Sequence, residues 1–163
     1  MKVKDFVTKF NNVKDKSDID SFLNKHIIKN YVSYAEKLTH CKNIINICCY
    51  SSINEKKFFK MNSPMKEMLL QMTFLKCYTD IEIDPANIEE YDMLMESKLI
   101  GLLIGHIDKS EISLFSSILD MMINDEIMNT RDLVSFLENK IDTINMTLNS
   151  LLDVVDSEEI KKL

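Results

Sequence analysis

Apolar residues recur along this chain at spacings of three and four, the pattern of helices that bury one face. Val3, Phe6, Val7 and Phe10 mark a first helix over about 3–10. Beyond the polar stretch NNVKDKS, Ser17 or Asp18 is placed to cap a second helix that buries Ile19, Phe22, Leu23 and Ile27. Ser33 with Glu36 makes an S-x-x-E capping box, a serine side chain taking the N–H three residues on. The helix it opens runs to about Cys48, with Leu38, Cys41, Ile44, Ile45 and Cys48 in helical register.

The pattern then changes. CYSSINEKKFFKM, residues 49–61, holds two short β-prone runs around NEKK and predicts a small hairpin. A two-stranded hairpin is marginal in water, so it needs helices or a partner to rest on.

Helical spacing returns at Ser63-Pro64, an N-cap followed by proline at the first helical position, where a missing N–H costs nothing. Met65, Met68, Leu69, Met72 and Leu75 form its apolar face, and Asp84-Pro85 repeats the device ahead of Ile88, Tyr91, Leu94 and Met95. A short helix covers Leu99–Ile107, and Asp108 with Glu111 forms a further cap-and-return pair. The helix after it buries Ile112, Phe115, Ile118, Leu119 and Met122.

A separate C-terminal helix is expected from about Thr130 to Val155, with residues 157–163 frayed. Val134, Leu137, Ile141, Ile144, Leu148, Leu151 and Val155 follow the alternating three-four spacing of a heptad seam. Leu152 and Val154 flank the seam and widen its apolar stripe, which places the helix in a bundle, either its own or one shared between subunits. The expected architecture is an all-α multi-helix bundle in one domain, 1–163, with a long heptad-patterned C-terminal helix and one small hairpin at about 49–61.

Composition supports this class. With 2 Gly and 2 Pro in 163 residues, the chain lacks the turn formers of sandwiches and barrels and the glycines of phosphate loops. Its longest wholly apolar run, Leu99–Ile104, is far short of the roughly 20 residues of a membrane span. The N-terminus, MKVKDFVTKF, is charged and amphipathic, unlike a signal peptide.

The net charge of −6 is unevenly spread, with residues 1–60 carrying 12 lysines against 6 acids and the remainder strongly acidic. Nucleic-acid binding is not expected, because the chain is acidic overall and Arg131 is its only arginine. Opposite charge on the two parts of one subunit suits contacts between copies, with Lys56, Lys57 and Lys60 as a candidate basic contact.

Chemistry is sparse. His40, Cys41, Cys48, Cys49 and Cys77 resemble metal ligands in type, but no C-x2-C or H-x3-H pair presents two donors from one turn, so they read as core residues. A cysteine nucleophile paired with His26, His40 or His106 would also need an oxyanion hole, and Gly101 and Gly105 both fall inside a predicted helix. Gly101-Leu-Leu-Ile-Gly105 is read instead as a site of close helix packing. Asp80, Glu82 and Asp84 start like a calcium loop, but Pro85 and Tyr91 stand where glycine and glutamate are needed. Most of the methionines are expected in the core. No catalytic residue, metal ligand, cofactor or small-molecule substrate is expected.

Three stretches together carry a resemblance: MKVKDFVTKFNN with IIKNYVSYAEK, then NSPMKEMLLQMTFLKCYTDIEID, then DMMINDEIMNTRDLVSFLENK. They resemble small proteins encoded by phages and prophages of low-GC Gram-positive bacteria, often near virion structural genes. Scarce alanine and heavy use of Ile, Asn and Lys agree with an AT-rich coding sequence. The resemblance implies a non-enzymatic morphogenesis protein, either a virion component of the head–tail or tail region or an assembly chaperone. Its partners would be phage structural proteins or copies of itself, in the host bacterial cytoplasm during assembly, with the virion as its later place only if it is a structural component. The alternative is a phage-encoded inhibitor or modulator of a host protein.

Overall fold

The computed structural model describes residues 1–13, 15–53 and 56–160; the side chains of Lys16, of 52–58 and of several residues after 130, Leu151 and Val155 among them, are not described. The described chain is all-α with one hairpin, as its periodicity predicts. In order it contains α1 (Val3–Asn11), α2 (Lys16–His26), α3 (Tyr34–Cys48), β1 (Tyr50–Ile53), β2 (Lys56–Phe59), α4 (Ser63–Tyr78), α5 (Ile88–Glu96), α6 (Leu99–His106) and α7 (Lys109–Ile160). Two compact units divide it, Met1–Ile123 and Asn124–Leu163, with the boundary falling inside α7. None of the described helices is long and apolar enough to cross a membrane.

In the first unit α4 is the central element. Met68, Leu69, Leu70, Met72, Phe74, Leu75, Cys77 and Tyr78 are all buried, so the helix is covered nearly all round, as a core helix must be. Phe6 of α1, Leu23 of α2, Leu94 of α5, Leu103 of α6 and Phe115 of α7 complete the core, each fully enclosed. Phe74 and Phe115 meet edge to face, with ring centroids 5.4 Å apart.

The hairpin pairs Tyr50 with Phe59 and Ile53 with Lys56 in antiparallel register. It is tied back to the end of α3 by two backbone bonds, Lys60 N–H to Cys49 O at 2.9 Å and Asn62 N–H to Cys48 O at 2.7 Å. The link after α4 anchors the N-terminus: the Met1 ammonium donates to Asp80 O at 2.8 Å, and His26 Nδ1 lies 2.8 Å from Asp80 Oδ1.

Several expected boundaries are corrected. α2 starts earlier, with Asp15 at its N-cap, so Ser17 and Asp18 lie within its first turn. The cap of α4 is Asn62, whose Oδ1 accepts from Met65 N–H at 3.1 Å, and Ser63 is already helical. Asp84 closes a turn by accepting from Ala86 N–H at 3.1 Å, and Asn87 caps α5 by accepting from Glu89 and Glu90. α5 buries only Leu94, leaving Ile88 and Met95 about half exposed. In both helices the asparagine carbonyl oxygen accepts from free N–H groups of the first turn, the role the sequence assigns to Ser63 and Asp84.

The largest correction is that α7 is one helix of 52 residues. The sequence pattern leaves residues 124–129 between two helices, but they hold neither glycine nor proline, and polar residues alone do not stop a helix. Gly101 and Gly105 do not mark close packing either. A Cβ added at either position would meet nothing within 4 Å.

Candidate functional site

Two features stand apart from ordinary core packing. The first is the apolar seam of the second unit. Val134, Leu137, Ile141, Ile144 and Leu148 lie on α7 at alternating spacings of three and four, and each keeps between 48% and 58% of its surface exposed. Aliphatic side chains repeating in this way form a continuous stripe, not the scatter of a normal surface. The remaining seam positions, Leu151 and Val155, have side chains outside the described set. Of the basic contact, Lys60 is exposed, while Lys56 and Lys57 are placed only by their backbone in β2.

The second feature lies within the first unit, where α3 faces α4. Glu36 and His40 are one turn apart on α3, and Cys77 is near the end of α4. One donor atom from each lies within 4.8 Å of the other two. Glu36 and His40 are partly exposed and Cys77 is buried. The Glu36 carboxylate also meets Lys29 Nζ at 3.6 Å, and the His40 ring lies 6.4 Å from that of Phe115. His40 borders a cavity of about 310 Å³ shared with Asn43, Ile47, Leu69, Thr73 and Lys76. Burial lowers the pKa of His40 despite the opposing pull of Glu36, favouring a neutral imidazole. Burial also raises the Cys77 thiol to about 11.

The sequence pointed to His40 and Cys77 but missed Glu36. The missing signal is the E-x3-H spacing, which puts two donors on one helix face where a C-x2-C search finds none. The other cysteines do not join the cluster. All four are buried free thiols, and burial pushes Cys41 and Cys48 up to about 12, consistent with inert packing groups. His26 is engaged with Asp80, and His106 Nε2 lies 3.4 Å from Asp20 Oδ1.

Next to the cluster lies a polar contact that the periodicity did not predict. Lys37 is 0% exposed, and its ammonium is 2.8 Å from Glu111 Oε2. The same oxygen accepts from Tyr78 Oη at 2.7 Å and from Val32 N–H at 3.1 Å. The face of Tyr31 covers the ammonium, with its centroid 4.7 Å away. Burial pushes the Glu111 carboxyl up, but the Lys37 ammonium, the Tyr78 hydroxyl and the Val32 amide outweigh it and hold it below its usual range. The expected return of Glu111 to its own cap therefore does not occur. The Asp108 carboxylate instead accepts from the backbone and hydroxyl of Ser110.

No family model matches this sequence, and no curated protein or solved structure matches it.

Proposed function

We propose that this chain is a non-enzymatic bacteriophage morphogenesis protein, a virion component or assembly chaperone that works by pairing its α7 seam with the seam of further copies. The observation that carries this reading is the half-exposed stripe Val134, Leu137, Ile141, Ile144 and Leu148. A heptad stripe suits a second copy because knobs at its a and d positions fit holes formed by the same repeat on a facing helix. Charge opposes the pairing only weakly: between Val134 and Val155 there are three acids, Glu138, Asp142 and Asp153, against Lys140. The phage assignment itself rests on the sequence resemblance.

The energetics point to concentration-dependent association. Completing the burial of each half-exposed side chain is worth roughly 1 kcal/mol, half of a full burial. Five such residues in each of two copies give roughly 10 kcal/mol, against a cost of about 4–15 kcal/mol for joining two molecules.

Light scattering across concentration and salt tests the reading. The expected result is a discrete oligomer of the 19.0 kDa chain that persists at high salt and becomes monomeric in Ile141→Glu/Ile144→Glu. A monomer at every concentration, or an oligomer indifferent to those charges, would overturn seam pairing. If the oligomer dissociates in salt and Lys60→Glu weakens it, the basic hairpin is the contact. Detection of the protein in purified virions or assembly intermediates tests the phage role.

A further inference from the structure

We propose that Glu36, His40 and Cys77 form a Zn²⁺ site that clips α3 to α4, independently of the assembly role. A carboxylate, an imidazole and a thiolate form a donor set that zinc takes in proteins, with about 2.3 Å to sulfur and about 2.0–2.2 Å to nitrogen or oxygen. Around a tetrahedral ion those bond lengths put neighbouring donors about 3.5 Å apart. The donors here already lie within 4.8 Å of one another, so side-chain rotation of about an ångström closes the set.

The supporting frame is rigid. Glu36 and His40 are held one turn apart by α3, whose start is fixed by Ser33 Oγ accepting from Glu36 N–H at 3.2 Å. Cys77 is held by α4, the most enclosed helix of the first unit. The ion displaces the thiol proton to solvent, and the resulting thiolate and the Glu36 carboxylate neutralise its two charges. The fourth position is left to solvent. Lys29 and Lys76 flank the site and oppose a cation, but both are exposed and able to turn to water. Lys29 must give up its 3.6 Å contact with Glu36 when the ion enters. Cys41, buried on α3, is not part of the set.

Co²⁺ is the probe, because its visible bands report tetrahedral geometry and a charge-transfer band reports a thiolate ligand. The full chain should take up one equivalent of Co²⁺ with both signals, and Zn²⁺ should displace it. Cys77→Ser should abolish the thiolate band, and His40→Gln and Glu36→Gln should each weaken binding by at least about tenfold. Lys29→Ala should tighten it severalfold, which a purely structural lysine would not do. Zn²⁺ should raise the melting temperature of the native chain and of Lys29→Ala, and by less that of His40→Gln. Should Cys77→Ser fail to fold, the partly exposed Glu36 and His40 variants carry the test. Failure of Co²⁺ to produce a thiolate band, or a band that persists in folded Cys77→Ser, overturns the site.

Discussion

The single helix α7 carries two apolar stripes that meet different ends. Between Glu111 and Ile123 the stripe is enclosed: Phe115, Ile118 and Leu119 are at most 1% exposed, and even Glu111 is buried against Lys37 and Tyr78. From Val134 to Leu148 a stripe of similar chemistry is half exposed. Similar periodicity thus produces a satisfied core in one stretch and an unmet demand for burial in the other. Periodicity reports which face wants to be covered, but not whether the same chain covers it.

The comparison breaks most sharply at the buried ion pair, where the enclosed stretch has its largest single dependence. Glu111→Ala strands the Lys37 ammonium without a counter-charge and leaves Tyr78 and Val32 without their acceptor. The expected loss is about 3–5 kcal/mol in urea unfolding, and Lys37→Met/Glu111→Leu should recover the part due to the stranded ammonium but not the part due to Tyr78 and Val32. A loss under about 1 kcal/mol in the single variant would mean that water reaches the ammonium.

One type of substitution on each side of Ile123 gives the next largest effect. Leu119→Ala removes an enclosed side chain and should cost about 2–5 kcal/mol. Leu137→Ala, at a side chain 50% exposed, should cost less than about 0.5 kcal/mol in dilute protein. Its cost should rise with protein concentration if copies pair through the seam. Equal costs at low concentration would show that the second stripe is already covered within one chain.

Acid should separate the two stretches by a smaller margin. The folded Glu111 carboxyl titrates below its ordinary 4.5, so between those values the native state binds fewer protons than the unfolded chain. Its contribution is therefore fully present above pH 4.5 and is lost as pH falls through the folded value. Denaturation midpoints measured from pH 7 to pH 3 should show this slope in the native chain and a shallower one in Glu111→Gln.

Much of this was legible beforehand. The apolar faces of α1, α3 and α4, the hairpin and the Ser33 cap follow from spacing and local side-chain chemistry, both encoded within a few residues. Continuous α7 was not, because polar Asn124, Asp125, Asn129 and Thr130 lower helix propensity without blocking the backbone. Burial of Lys37 was not legible either, since its counter-charge at Glu111 is distant in sequence and only the fold joins them. For the same reason Glu36, His40 and Cys77 appear as a set only once α3 faces α4. His40 and Cys77 are conspicuous as residue types, but the convergence of the three is a tertiary fact.

The smallest effect concerns a face of the first unit that is open in a different way. Gly101 and Gly105 lie on α6 with free space where a Cβ would go, and neither has a positive φ. Glycine there gives up helix stability without serving a close approach within the chain, so Gly101→Ala and Gly105→Ala should each stabilise by about 0.5–1 kcal/mol. The gain should come chiefly from a less disordered unfolded chain, and differential scanning calorimetry on dilute protein is the suitable measurement. Light scattering on the same variants then sharpens the contrast with the seam. If copies meet only through the second unit, alanine at these positions leaves association unchanged while the melting temperature rises. If association weakens instead, another helix uses the glycines for close approach in the assembly, and α6 joins the seam as a contact surface.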